Sequence, residues 1–235
     1  MSRTPPSSIR RHAAALLVLP LAAGACRAAA PVASHSAPSP AQTAARAGDL
    51  AAIARARADS AQLPYTAADV HFMQGMIGHH AQAIVMARWA PTHGASPSLR
   101  TLAERIINAQ QDEITLMQQW LRDRGQTVPD ATPAPMKMMM GGVEHDMLMP
   151  GMLTEAQMKQ LDAAKGTEFD RLFLTFMIQH HRGAVSMVKE LFGTYGAAQD
   201  QSVFKLASDV NVDQTTEIAR MERMLGDLLF APRTP

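Results

Sequence analysis

Met76 and His80 stand four residues apart, and so do Met177 and His181. On a helix that spacing brings two side chains together on one surface. A thioether beside an imidazole is a ligand pair that suits copper, above all Cu(I). Met73 lies one turn before Met76, and a second histidine, His79 or His180, precedes His80 and His181. Both pairs sit in a stretch that occurs twice, over residues 69–86 and 170–187. The copies match at Asp69/Asp170, Phe72/Phe173, Met76/Met177, Ile77/Ile178, His79/His180, His80/His181 and Met86/Met187. Helical geometry puts Asp69, Met73, Met76, Ile77 and His80 on one core-facing stripe, with His79 about a quarter-turn away at its margin. Asp170, Leu174, Met177, Ile178 and His181 repeat the stripe, with His180 at the margin. Polar groups on such a stripe are costly to bury unless something satisfies them.

A second concentration of soft ligands separates the two copies. Met136, Met138, Met139, Met140, Met147, Met149 and Met152 are seven methionines in 17 residues, with His145 among them. In an oxidising compartment thioethers escape the disulfide formation that removes thiolate ligands. The segment reads as a surface collector of Cu(I). A plain alternative is a loop whose methionines cover the bundle. Met86, Met117, Met187, Met221 and Met224, like Phe72 and Phe173, read as core filler. His71 and His93 are unrepeated and read as exposed, and His12 and His35 carry no role.

The elements that must position these residues are helices. Thr66-Ala67-Ala68-Asp69 is a capping-box variant that opens a helix running to about Ala90. Ser96-Pro97 opens the next, to Gly125, with a stripe of Gln110, Glu113, Ile114, Met117 and Leu121. Thr154 to Gln157 is a second capping box, for a helix reaching Ala164 or Lys165. The second copy of the motif then runs to about Phe192, and a last helix spans about Ser202 to Leu229. Its stripe of Gln214, Glu217, Ile218, Met221 and Leu225 repeats the earlier one at the same spacing. The repeated unit is therefore a whole helical hairpin, and two of them pack most simply as an all-α four-helix bundle. No segment reads as a strand. The expected boundaries are repeat 1 over 65–125, a Met-rich linker over 126–153 and repeat 2 over 154–230, within a helical region of 47–230 that opens on a short helix over 47–61.

The first 25 residues stand outside that fold. Arg3, Arg10 and Arg11 precede an apolar run from Ala13 to Ala25 that ends in small residues, the pattern of an export signal. The run is too short to span a membrane. The only cysteine, Cys26, follows at once. The site is similar to a bacterial lipobox, though Ala23 stands where leucine is usual, so the alternatives are lipidation of Cys26 and plain cleavage before it. Residues 26–46 are rich in Ala, Pro and Ser and read as a flexible tether. Localisation is expected in the periplasm or cell envelope, touching the membrane only through a lipid anchor. Without the signal the chain carries 19 Lys+Arg against 21 Asp+Glu, a formal charge of −2. No basic run survives, which argues against nucleic acid as a partner. One cysteine excludes internal disulfides and thiolate metal sites.

At the doubled histidine helices the chain resembles the family known as domain of unknown function 305. The resemblance rests on the F-x-x-x-M-I-x-H-H helix, the downstream E-I-x-x-M helix, Met149-Pro150-Gly151-Met152-Leu153-Thr154 and the run from Gly166 to Ala184. It covers roughly Tyr65 to Leu229. It implies an exported, ferritin-like helical bundle, with some members linked to periplasmic copper binding and resistance, and no settled catalytic activity. The copies depart from symmetry where Leu174 replaces Met73, Phe176 replaces Gly75 and Gln179 replaces Gly78.

The expected function is copper binding for sequestration or delivery, with a metal-exchange protein as a possible partner and no turnover. The expected core ligands are Met73, Met76, His79 and His80 in one site and Met177, His180 and His181 in the other. The expected surface ligands are Met138, Met139, Met140, His145, Met147, Met149 and Met152. Asp69, Glu113, Asp170 and Glu217 are candidates to orient the histidines. The rival reading gathers Asp69, His80 and Glu113 with Asp170, His181 and Glu217 around two iron or manganese ions as an oxidase. The Glu-x-x-His signature of carboxylate-bridged bundles is missing. A bundle binding no metal is the third reading. Nothing supports hydrolysis, since no H-E-x-x-H, nucleophile elbow or phosphate-cradling glycine loop occurs.

Overall fold

The computed structural model describes residues 46–55, 64–133, 135–141 and 143–230. The expected export signal, Cys26 and nearly all of the expected tether lie outside the described residues. Residues 46–55 are helical, in agreement with part of the expected 47–61 helix. The elements that follow are α1 (Ala67–Arg88), α2 (Pro97–Asp123), β1 (Met136–Met140), β2 (Val143–Met147), α3 (Glu155–Ala163), α4 (Gly166–Gly193) and α5 (Gln201–Phe230).

α1, α2, α3 and α5 start where a side chain satisfies free N–H groups of the first turn, whereas α4 has no side-chain cap. Thr66 caps α1, its backbone N–H donating to Asp69 Oδ2 at 2.7 Å while its hydroxyl accepts from the Asp69 N–H at 3.3 Å. Ser96 caps α2 with Pro97 as its first residue, and Thr154 with Gln157 caps α3. Asp200 accepts from the N–H groups of Ser202 and Val203 at the start of α5. The end of α2 closes on Gly125 at φ 62°, where the Gln126 N–H reaches the Leu121 carbonyl at 2.9 Å. A side chain there would strain the left-handed backbone.

α1 packs on α2, α4 packs on α5, and α1 meets α4 across the middle. Two apolar clusters result. One joins the start of α1 (Phe72, Met73, Met76) to the end of α4 (Met187, Leu191). The other joins the end of α1 and the turn after it (Met86, Ala90) to the start of α4 (Phe169, Phe173, Met177). α1 and α4 are therefore antiparallel, and the sequence repeat exchanges one cluster for the other. Between the clusters lie the doubled histidines.

The expectation of no strand fails in the linker, where β1 and β2 pair antiparallel. Gly141, at φ 61°, stands in the turn between paired Met140 and Val143. That turn needs positive φ, which glycine supplies freely. Val143-Glu144-His145-Asp146-Met147 also alternates apolar or neutral with acidic residues, a period of two. The signal was present but hidden in β1, where methionine occupies consecutive positions.

Candidate metal centre

His79, His80, His180 and His181 are all fully buried. The expectation that one histidine of each pair sits at the core margin is therefore wrong for His79 and His180. Helical periodicity gives the face of a residue but not what covers it. Here the margin of α1 is covered by α4 and by the end of the linker, so that the rings of His79 and His180 meet at a tilt with centroids 3.8 Å apart.

Residues 149–153 form a strap across α1 and α4. His79 Nε2 donates to the Pro150 carbonyl at 3.0 Å. The Gln82 side chain bonds Leu153 twice, donating to its carbonyl at 3.0 Å and accepting from its N–H at 2.7 Å. Beneath the strap Gly183 allows an approach that no side chain would, since a Cβ there would lie 1.9 Å from the Pro150 oxygen. Gln82 and Gly183, which hold the strap on α1 and α4, are positions the sequence reading missed. Gly183 was visible as a glycine inside a helix, which usually marks close backbone approach.

His80 and His181 are held alike. His80 Nε2 lies 2.7 Å from Glu113 Oε2, and His181 Nε2 lies 2.7 Å from Glu217 Oε2. A carboxylate accepts, so each Nε2 carries the proton, and in the neutral ring the lone pair is left on Nδ1. The Nδ1 atoms of His80 and His181 are buried without a partner. His79 Nδ1 is in the same condition, because a carbonyl fixes its Nε2 as donor. Neither nitrogen of His180 makes a hydrogen bond, although the His79 backbone lies close enough to favour its protonated form slightly. Burial, and then the neighbouring His80, drives His79 down to a pKa of about 3. Burial, followed by His79, His181 and His80, holds His180 well below its ordinary value. These two are neutral bases at any physiological pH.

Met73, Met76 and Met177 are buried on the same helices, Met76 and Met177 one turn before His80 and His181. Met73 also forms the floor of an open groove of about 480 Å³ beside Leu116 and Trp120 of α2 and Leu206 of α5. Gln110 and Gln214, one turn before Glu113 and Glu217, are buried with amide atoms unpartnered. Asp213 is raised above the usual carboxylate range by partial burial, then by the charges of Glu113 and Glu217, so acidic groups cluster along α2 and α5.

Asp69 and Asp170 serve other ends. Asp69 caps α1 and accepts from the Ala198 N–H at 2.7 Å, and Asp170 accepts from the Ser96 N–H at 3.2 Å. Each ties the start of one hairpin to the turn of the other. His93, expected to be exposed, is buried and bonded to Asp162 at the foot of α3. In the linker, Met149 and Met152 are buried in the bundle, while Met147 is exposed. The strand register sets Met136 opposite Met147 and Met138 opposite His145. Among the described residues no three His, Cys, Asp or Glu groups gather so as to hold a metal ion. Among the described residues no helix is long and apolar enough to cross a membrane.

The family model described as "Domain of unknown function (DUF305)" matches residues 69–225. A secreted-type DUF305 protein of Streptomyces coelicolor, thought to be exported, is 27% identical with a TM-score of 0.58, over 68% of this chain and 93% of that one. CopM, solved in its Cu(I)-bound form, is 27% identical with a TM-score of 0.53, over 70% of this chain and 98% of that one. CopM has also been solved with Cu(II) and with silver. The uncharacterized protein L153 of Acanthamoeba polyphaga mimivirus is 39% identical over 56 residues, which are 24% of this chain and 37% of that protein.

Proposed function

The chain belongs to the DUF305 family, and from that premise we propose that it is an exported copper-binding protein that sequesters or delivers the ion without turnover. The observation that carries this reading is the pair of buried imidazoles whose Nδ1 atoms lack partners while their Nε2 atoms are held by Glu113 and Glu217. Ligating histidines characteristically give their second nitrogen to a carboxylate, which fixes the ring and raises its basicity. A buried polar atom without a partner costs about 1–3 kcal/mol, and a soft cation would remove that cost. Met76 beside His80 and Met177 beside His181 supply thioethers, a donor set that favours Cu(I) over harder ions. Met73 and His79 complete the first site and His180 the second. The copper and silver complexes of CopM favour the same cargo.

On this reading the ribbon that carries Met136, Met138, Met139, Met140, His145 and Met147 gathers the ion, with Met149 and Met152 farther along the same segment. A metal-exchange protein would meet the molecule there. Export and lipid attachment at Cys26 complete the proposal, in line with the exported character ascribed to the Streptomyces relative.

The test is anaerobic metal binding by the wild type and by His80→Ala and His181→Ala, with Cu(I), Cu(II), Fe(II) and Zn(II) offered in turn. Each variant should lose copper stoichiometry and keep its helical circular dichroism. Wild-type copper binding by both variants would sink the buried sites. Two iron ions per chain with oxygen uptake would favour the oxidase instead.

A further inference from the structure

We propose a further Cu(I) site on the α1–α4 face, built from His71, Met149 and Met187 with Glu190 at its mouth. These four line a small cleft of about 110 Å³. The two thioether side chains converge over Gly75. A Cβ on that glycine would lie 2.8 Å from Met149 Cε, 3.2 Å from its sulfur and 3.5 Å from Met187 Cε. His71 stands one turn before Gly75 on the same helix face, and Glu190 one turn beyond Met187 on α4. Met149 and Met187 are buried, His71 is half-buried and Glu190 is exposed. Two sulfurs and one imidazole suit Cu(I), and a carboxylate at the opening attracts a cation.

The internal repeat supplies a control for packing alone. The positions equivalent to His71, Gly75, Met187 and Glu190 are Leu172, Phe176, Met86 and Trp89. All four belong to or pack against the second apolar cluster. The fold is therefore satisfied at this place by a leucine and two large aromatics. In the first repeat the same place is opened by a glycine, filled by a thioether from the linker and edged with an imidazole and a carboxylate. Hydrophobic packing does not call for that exchange. The location also fits traffic, since Met149 lies two residues beyond Met147 of the ribbon and one before Pro150, whose carbonyl binds His79.

The site rests on the copper reading, and its test separates the two. The full chain would be titrated anaerobically with Cu(I) against a chromogenic chelator, alongside His71→Ala, Met149→Leu and Met187→Leu. Each variant should bind one Cu(I) equivalent fewer than wild type. In the wild type, Ag(I), a silent stand-in for Cu(I), should shift the His71 imidazole resonances; this readout holds even where a variant fails to fold. Wild-type stoichiometry in all three variants, or unmoved His71 resonances at saturating Ag(I), would overturn the site and leave the buried histidines as the copper ligands. No Cu(I) bound by wild type would overturn both readings together.

Discussion

The imidazoles of His79 and His180 lie against one another at the bundle centre, with ring centroids 3.8 Å apart and 38° between planes. The sequence repeat relates the two residues, so the contact marks the internal symmetry axis and joins the two hairpins. Neither ring can take a proton cheaply, because burial removes the water that would solvate the charge and each faces other imidazoles.

That pair predicts the acid stability of the metal-free protein. Both histidines have folded pKa values below the unfolded value of 6.5. The unfolded chain therefore binds protons first as pH falls. Their contribution is complete above 6.5 and is lost progressively toward the folded value, about 3 for His79. Each histidine should steepen the loss by about 1.4 kcal/mol per pH unit. Urea midpoints measured through this window should fall, and His180→Gln should flatten the slope. A wild-type midpoint constant from pH 6.5 to about pH 4.5, above the range where most carboxylates titrate, would contradict the assignment.

Glu113 and Glu217 should tune copper affinity without touching the ion. Glutamine can still accept from Nε2 but carries no charge, so Glu113→Gln and Glu217→Gln should weaken their sites by about 10–100-fold with little loss of stability. Leucine leaves Nε2 buried and unpaired. Glu113→Leu should then cost about 1–3 kcal/mol in folding as well. Chelator competition with denaturant unfolding separates the two effects.

The ribbon should be dispensable for the fold. Val143 and Met147 are exposed, and the strands pair with each other. Replacing Met136, Met138, Met140 and Met147 by leucine should leave the thermal midpoint in place and lower the copper capacity measured by titration. An unchanged capacity would remove the ribbon from the collecting role.

Much of this architecture was legible because its causes are local. Thr66 with Asp69 and Thr154 with Gln157 announce helix starts within four residues, and the matched stripes of Glu113 and Glu217 announce a repeated hairpin. The pairing of His80 with Glu113 and His181 with Glu217 was among the contacts that reading allowed. What escaped depends on contacts distant in sequence. His79 is buried because Pro150, 71 residues away, crosses it. His93 is buried because Asp162 reaches it from α3. The aspartates at the start of each motif looked like partners for histidine, yet their oxygens accept elsewhere, Asp170's from Ser96 and Asp69's from Ala198 of the opposite hairpin and Thr66 of its own cap. Periodicity fixes a face; it does not say which segment comes to lie on it.

The strap offers the sharpest test of that last point. A methyl group at Gly183 would lie 1.9 Å from the Pro150 oxygen, 2.4 Å from its carbonyl carbon and 2.6 Å from Gly151 Cα. All three atoms are backbone, so no rotamer change relieves the clash and the strap itself must lift. Lifting it breaks the bond from His79 Nε2 to Pro150 and exposes Met149 and Met152. Gly183→Ala should therefore cost about 3 kcal/mol or more, the upper end for overpacking. Gly75→Ala meets only the flexible ends of Met149 and Met187 and should cost less, although it intrudes on the proposed Cu(I) cleft. Gly193→Ala meets nothing within 4 Å and serves as the neutral control. Thermal melts of the three variants should rank Gly183→Ala lowest, and the His79 resonances should shift in that variant alone. A Gly183→Ala protein as stable as Gly193→Ala would mean the strap does not lie on α4 in solution.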